Sequence, residues 1–327
     1  MDTNRVLKER QQLNLELYRR AYLIRTAEEK IRRHYDENEM KTPTHLSIGE
    51  EAIAAGICAA LHAKDQLFGT YRGHGIYLAR TQETQKFFLE LFGKEGGIAD
   101  GKTGSMHLSA IEDGLMGTSA VVGTTLPVAV GAAFANKVQQ NGKVVAIFFG
   151  DGAIEEGVFW ESLNVACLKQ LPILFICEDN GLAIHTPKSQ RQGFKSLCNI
   201  IRQFSCEVIH EKSTDPEIIY QLGRHALDHT LSTQQPTFLH LEYYRYYEHV
   251  GVYEDFKFNY RPKDEFLKWY AQDPVLLQRQ KLLNLTILEA ELASLERKIQ
   301  QQVDESFENA QRSSFPTAEK LYEHIYA

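Results

Sequence analysis

Few cysteines, no long apolar run and no excess of basic residues are the first features of this sequence. Its 327 residues include five cysteines without a C-x-x-C pair, and 36 Lys and Arg against 43 Asp and Glu. Without a run of about 20 apolar residues, no membrane-spanning helix is expected. The net charge of −7 argues against general nucleic-acid binding. We interpret most of the cysteines as buried thiols of a reducing compartment rather than as disulfides or metal ligands.

The N-terminal segment also lacks the pattern of a secretory signal. Residues 1–20, MDTNRVLKERQQLNLELYRR, are rich in charge and favour a helix. Together with the thiols, this segment predicts a cytoplasmic protein.

Two short apolar blocks that end in polar residues carry the strongest signal. Residues 144–149 run into Gly150, Asp151 and Gly152, and residues 172–177 run into Asp179 and Asn180. Continuous apolar runs of this length are typical of parallel strands buried on both faces. Because ligands bind at the carboxyl ends of such strands, these polar groups should meet at one edge of a sheet. A helix is expected to begin at Ala153.

Asp151 and Asn180 would bring a carboxylate and an amide oxygen together at that edge. Mg²⁺ prefers oxygen ligands and often binds one or two protein groups plus phosphate oxygens. The N-terminus of the following helix favours the same phosphates. The pattern therefore predicts a magnesium–diphosphate site. Taken alone, Gly-Asp-Gly would rather indicate an aspartate that caps the helix.

The rest of the chain predicts an α/β protein with helical additions. A loop is expected over residues 93–123, and further strands over 207–210 and 237–243. One or two surface helices are expected over residues 5–40, and other helices over 50–61, 84–91, 126–139, 215–230, 264–271 and 285–303. The simplest division is one α/β domain over residues 1–270 and a helical extension over 271–327.

Several motifs in order make the chain similar to a known family. They are HLSIGEEAIAAG (45–56), TYRGHG (70–75), DGKTGSMHLS (100–109), GTSAVVGTTLPVAVGAA (117–133), the Gly-Asp-Gly to Asn180 segment, and YYRYYEH (243–249). The set resembles the alpha subunit of the thiamine diphosphate-dependent first component of 2-oxo acid dehydrogenases, which act on pyruvate, branched-chain 2-oxo acids or acetoin. The resemblance implies the thiamine diphosphate-binding fold, a mainly parallel sheet with helices on both faces.

The resemblance also implies a set of site residues. Mg²⁺ would be bound by Asp151, Asn180 and the carbonyl of Leu182. The catalytic candidates are His249, His74 and His107, although a structural role is an open alternative for His74 and His107. The implied cofactor-binding residues are Tyr71, Arg72, Ala120, Val122, Gly150, Asp151, Gly152, Ala153, Asn180, Leu182, Arg245 and His249, with Val122 as the apolar wedge that bends the cofactor.

Four positions depart from the family pattern. Asp179 stands where relatives usually carry Asn, and its charge would raise the demand for Mg²⁺. The loop around His249 carries Tyr247 and Val250 where relatives often have His and Ser, and it lacks their Pro. These departures leave the substrate class open.

The implied function is the thiamine diphosphate-dependent oxidative decarboxylation of a pyruvate-like 2-oxo acid, or the cleavage of acetoin, with acyl transfer to a lipoyl partner. A beta subunit would supply the glutamate that activates the cofactor, in an α₂β₂ assembly. Two alternatives stay open: a non-oxidative decarboxylase, lyase or split transketolase-like enzyme, and a non-catalytic relative that serves as an assembly surface. The non-catalytic alternative is disfavoured, because the chain retains Arg72, Asp151, Asn180 and His249 together.

Overall fold

A six-stranded parallel β-sheet forms the centre of the computed structural model, which describes residues 3–323. Across the sheet the strand order is β2-β1-β3-β4-β8-β7. In chain order the strands are β1 (Gln66–Thr70), β2 (Leu115–Ser119), β3 (Val145–Gly150), β4 (Ile173–Asp179), the separate antiparallel pair β5 (Leu182–Ala183) and β6 (Thr186–Pro187), then β7 (Glu207–Glu211) and β8 (Thr237–Glu242).

Strands β3 and β4 are neighbours at the middle of the sheet, as their apolar sequences predict. Alternate side chains of a strand point to opposite faces. Ala146 and Phe148 of β3 join one hydrophobic core, whereas Val145 and Ile147 join a second core on the other face. Both faces are covered, so these strands carry apolar residues at every position.

Eleven α-helices surround the sheet in the described part of the chain. Helices α5 to α7 cover one face, and α1 to α4, α8 and α11 build the core of the other. The helices are α1 (Thr3–His34), α2 (Glu51–Ala60), α3 (His74–Thr81), α4 (Gln85–Leu91), α5 (Thr125–Gln139), α6 (Gly157–Lys169), α7 (Leu197–Ile201), α8 (Pro216–Thr233), α9 (Lys263–Tyr270), α10 (Pro274–Asn284) and α11 (Glu289–Arg312). This arrangement confirms the predicted α/β fold class.

The C-terminal helices pack tightly onto this domain. Ile299, Val303 and Phe307 of α11 belong to the larger core, and α11 lies against α1 and α4. The boundary at residue 270 between an α/β domain and a helical extension therefore stays a prediction. Within residues 3–323, no helix combines the length and the apolar content needed to cross a bilayer.

Two expectations about helices need correction. The N-terminal segment is a single helix, which agrees with the predicted one or two, but it is not confined to the surface, because Leu17, Ile24 and Ile31 recur at helical spacing and are fully buried. Helix α6 begins at Gly157 rather than Ala153. Residues 151–155 form a 3₁₀ turn after β3, and the extended backbone of Glu156 separates this turn from the helix.

Strands β1 and β2 and helices α3, α7 and α10 were not predicted from the sequence, and β2 lies inside the segment 93–123 that was predicted as a loop. The two strands are only five residues long and each contains a glycine, which weakens a strand pattern. Strand β2, the next strand in the chain, lies on one side of β1 in the sheet, whereas β3 lies on the other side of β1. This reversal is a topological switch point, where ligands bind in open parallel sheets.

Candidate functional site

A cavity of about 220 Å³ opens at the carboxyl ends of β1, β3 and β4. Each strand delivers its polar residues there because parallel strands end at the same edge. The cavity brings together ten of the residues that the sequence analysis singled out for a cofactor: Tyr71, Arg72, Val122, Gly150, Asp151, Gly152, Ala153, Asn180, Leu182 and His249.

Asp151 is buried at the floor of this cavity, in the turn that follows β3. Its Oδ2 accepts a hydrogen bond from Arg191, which also binds Glu155 at 2.6 Å. Its Oδ1 has no hydrogen-bond partner among the described residues. Burial and the charge of Asp179 raise the pKa of Asp151 to about 7, against the effect of Arg191. The site therefore holds a buried carboxylate that Arg191 pairs on one oxygen only, and the other oxygen has no donor among the described residues.

Asn180 and Asp179 point to opposite sides of the strand end. Oδ1 of Asn180 accepts a hydrogen bond from the amide of Leu182 at 3.0 Å, and Nδ2 donates to the hydroxyl of Tyr243 at 3.0 Å. Asp179 does not line the cavity, since its carboxylate binds Lys188 and the amide of Gly181. Its charge nevertheless acts on Asp151 through space.

Two buried arginines lie beside the cavity. Arg72 donates from Nη1 to the carbonyl of Leu46 at 2.6 Å and from Nη2 to the carbonyl of His249 at 3.1 Å. Arg245 lies behind His249, where burial and the charge of Arg72 lower its pKa to about 10. Their combined positive field suits an anion such as a diphosphate.

His249 faces the cavity as a neutral imidazole. Burial, followed by the charges of Arg72 and Arg245, lowers its pKa to about 3. Its ring lies edge-on to Tyr71, with 5.5 Å between the ring centroids. Because Arg245 can only donate, its contact with Nδ1 at 3.3 Å leaves the proton of the imidazole on Nε2. The site thus offers a fixed donor rather than a titrating acid.

Comparison with known proteins gives this arrangement a family. The dehydrogenase E1 component family matches residues 19–319 of the chain. The chain belongs to this family. The pyruvate dehydrogenase E1 component subunit alpha of Zymomonas mobilis is 32% identical over 312 residues, which cover 95% of this chain and 88% of that protein.

Two further relatives have similar coverage. The alpha subunit of the acetoin:2,6-dichlorophenolindophenol oxidoreductase of Bacillus subtilis is 29% identical over 95% of this chain and 92% of its own length. The chloroplastic pyruvate dehydrogenase E1 component subunit alpha-3 of Arabidopsis thaliana is 32% identical over 98% of this chain and 79% of its own length. The resemblance stated from the motifs is confirmed, and this E1 chain is a thiamine diphosphate-dependent oxidoreductase.

The residues of the cavity fit that cofactor. The unpartnered Oδ1 of Asp151 is a free ligand atom for a cation at the edge of the sheet. Gly152 lies close to the hairpin, since a Cβ there would be 3.1 Å from the side chain of Ala183. A glycine at this position keeps the backbone accessible to a phosphate group.

Four expected residues lie outside the cavity. His74 is fully buried, with Nδ1 3.0 Å from Oε1 of Glu28 and Nε2 2.6 Å from the hydroxyl of Ser105. His107 is exposed on a turn. Ala120 and Arg245 are absent from the cavity lining, although Arg245 contacts it through His249. For His74, whose two ring nitrogens both have buried partners, the structural alternative fits this position best.

Two further lining residues, Glu178 and Tyr243, and the neighbouring His45 carried no role in the sequence analysis. Glu178 and Tyr243 face the cavity, and burial raises the pKa of both groups well above the usual values. His45 packs against Tyr71, with 4.5 Å between ring centroids, and Nδ1 of His45 lacks a partner among residues 3–323. Two features of the sequence could have identified His45 and Glu178. His45 is the first residue of the first family-like motif, and Glu178 immediately precedes Asp179.

Proposed function

We propose that this chain is the alpha subunit of an E1 enzyme that decarboxylates a pyruvate-like 2-oxo acid, or cleaves acetoin, and passes the acyl group to a lipoyl partner. The observation that carries the proposal is the unpartnered carboxylate oxygen of Asp151 in a cavity shared with Arg72 and neutral His249. When bound, thiamine diphosphate supplies the nucleophilic carbon and the electron sink of the reaction.

Mg²⁺ would be held by Asp151, Asn180 and the carbonyl of Leu182. Carboxylate and amide oxygens are ligands that this cation accepts, and diphosphate oxygens would complete its shell. Arg191 now occupies the other oxygen of Asp151, so it competes with the cation for this carboxylate. Arg72 and Tyr71 would face the diphosphate, with Arg72 neutralising its charge.

His249 would orient the substrate rather than exchange a proton with solvent. Its lowered pKa keeps the imidazole neutral at physiological pH, and Arg245 fixes Nε2–H as the donor. A neutral donor in a buried site stabilises developing negative charge on a substrate oxygen without changing its own charge.

The exposed apolar face of α5 and α6 supports a beta-subunit partner. Its members are Val122 in the turn before α5, Val128, Phe134 and Val138 on α5, and Val165 and Leu168 on α6, each between 42% and 73% exposed. We call this surface the α5–α6 face. Val122 also lines the cavity, so a subunit seated on this face would reach the site. Large exposed apolar patches mark interaction surfaces, which favours the expected α₂β₂ assembly. The cytoplasmic location stays a prediction.

A calorimetric titration tests the proposed cofactor site. Thiamine diphosphate is titrated into the chain co-purified with its beta partner, with and without Mg²⁺, using wild type and Asp151→Asn. We expect Mg²⁺-dependent binding that the variant loses. Asp264→Asn on the surface of α9 is the matched control and should bind normally. Cofactor binding that ignores Mg²⁺ and Asp151 would contradict the assignment.

A turnover assay tests the proposed acyl transfer. The assembled enzyme is given pyruvate or acetoin together with an oxidised lipoyl domain. We expect the lipoyl disulfide to be reduced and acylated in step with substrate loss. Release of a free aldehyde, with the lipoyl domain unchanged, would instead support the non-oxidative alternative.

A further inference from the structure

A second cavity lies on the opposite side of the end of β4. It has a volume of about 270 Å³, and Asp179 lines it, whereas the neighbouring Glu178 and Asn180 line the first cavity. Alternation along a strand sends successive side chains to opposite faces. Two chemically different sites therefore share one strand end.

Three metal-ligating side chains converge in this second cavity. Cys198 comes from α7, His210 from β7 and His240 from β8, and one ligand atom of each lies within 4.8 Å of the others. Cys198 and His240 are buried, whereas His210 is exposed. A thiolate with two imidazoles is a donor set typical of Zn²⁺ and unsuited to Mg²⁺.

The distance between sulfur and nitrogen already suits a shared ion. Sγ of Cys198 lies 3.4 Å from Nδ1 of His240. With Zn–S about 2.3 Å, Zn–N about 2.1 Å and a tetrahedral angle, the two atoms would be separated by roughly 3.6 Å. The buried pair needs only a small adjustment to bind one ion.

Both histidines carry the carboxylate partners that zinc-binding imidazoles usually have. Nε2 of His240 contacts the carboxylate of Asp179, and Nε2 of His210 lies 2.7 Å from Oε1 of Glu242. When a carboxylate holds the proton of a neutral imidazole on Nε2, the lone pair of Nδ1 is the one that an ion can bind. In His240 that nitrogen faces Cys198.

We propose that Cys198, His210 and His240 bind one Zn²⁺ ion, with Asp179 and Glu242 as positioning residues. The ion takes the place of the thiol proton of Cys198 and of the proton on Nδ1 of His240, and both protons leave to solvent. The rings of His210 and His240 are stacked, with 4.7 Å between their centroids. The exposed side chain of His210 therefore has to rotate for one of its ring nitrogens to reach the ion. The fourth position faces the cavity and takes a water molecule.

Zinc competition measurements test this proposal. The full chain is stripped with a chelator, kept in excess Mg²⁺, and titrated with Zn²⁺ against a chromophoric competitor. Wild type should bind one equivalent. Cys198→Ser should weaken binding by about 100-fold or more, since it removes a ligand rather than an outer-shell partner. Cys206→Ser is the matched control, because Cys206 is a partly exposed thiol outside the cluster.

A second pair of variants and a spectroscopic readout separate a zinc site from an ordinary thiol–imidazole hydrogen bond. His210→Gln should weaken Zn²⁺ binding, whereas His225→Gln should not, although His225 is also exposed and paired with a glutamate at 2.8 Å. Co²⁺ should give a thiolate charge-transfer band in wild type that Cys198→Ser lacks. Failure of wild type to bind Zn²⁺, or equal affinity in Cys198→Ser, would overturn the proposal.

Discussion

Nη1 of Arg245 lies 3.3 Å from Nδ1 of His249, so a buried arginine fixes the protonation of the imidazole at the cavity. Arg245 is itself held from Nε by the carbonyl of Tyr247 at 2.9 Å and from Nη2 by the hydroxyl of Tyr260 at 3.1 Å. The arginine therefore acts on the site through His249 rather than by lining it. This contact also explains why His249 stays neutral, since a nearby positive charge disfavours a second one.

Replacing His249 by Asn should lower kcat by about 100-fold, because the side chain is expected to stabilise developing charge on the substrate. The pKa of His249 is about 3 in the folded chain. Any inflection in the pH–rate profile between about pH 5 and 8 therefore belongs to another group. It should persist in His249→Asn, and its disappearance in the variant would count against a neutral His249.

Arg191→Gln should reduce the Mg²⁺ concentration needed for half-maximal cofactor binding. Arg191 occupies Oδ2 of Asp151, and its removal frees that oxygen for the cation. We expect a decrease of about five-fold, equivalent to roughly 1 kcal/mol. Arg312→Gln is the control, since Arg312 is an exposed arginine at the end of α11 that binds Glu308 at 3.0 Å. An unchanged or raised Mg²⁺ requirement in Arg191→Gln would show that Arg191 and Mg²⁺ do not compete for Asp151.

Glu28 should make stability depend on pH. This carboxyl is fully buried, its Oε2 has no partner among residues 3–323, and burial raises its pKa from 4.5 to about 8. Because the folded state favours the neutral carboxyl, Glu28 contributes its full stability below pH 4.5, where this group is also protonated in the unfolded chain. This contribution is lost as the pH rises toward 8. Against Glu28→Gln, wild type should lose about 2 kcal/mol between roughly pH 5.5 and 7.5 in urea unfolding. A difference independent of pH would contradict the shift.

Two helical glycines should respond oppositely to alanine. A Cβ at Gly56 would lie 2.7 Å from the side chain of Ile219, where α2 packs on α8, whereas nothing lies within 4 Å of one at Gly131. Gly56→Ala should lower the free energy of unfolding by about 1–3 kcal/mol. Gly131→Ala should raise it by about 0.5–1 kcal/mol through helix propensity. Thermal unfolding of the isolated chain compares the two.

Phe134→Asp should disrupt assembly with the beta subunit and leave the isolated chain folded. Phe134 lies on the α5–α6 face and is 49% exposed, so its replacement costs little core packing. Leu288→Asp is the control, because Leu288 is 70% exposed at the start of α11, outside that face. Sedimentation of the mixed subunits measures assembly. Equal complex formation by both variants would exclude this face as the contact.

The local pattern of apolar residues predicted the central strands well. It failed where tertiary packing determines which face of an element is buried. The apolar runs of β3 and β4 and the polar residues after them needed no tertiary information. By contrast, the N-terminal helix was assigned to the surface because its many charges mask a buried face. Ser105 and Glu28 satisfy His74, and neither contact with that side chain is visible in a linear pattern.

The sequence by itself determined the strand ends, the Gly-Asp-Gly turn with Asn180, and the family motifs, because all of these are local signals or ordered matches. Only the tertiary structure decided which groups meet. It turned Asp179 away from the cavity that Asn180 lines, since neighbouring residues of a strand face opposite sides. It also brought Cys198 to His240 across 42 positions of the chain. Contacts of this kind depend on how helices and strands pack, which no spacing in the sequence encodes.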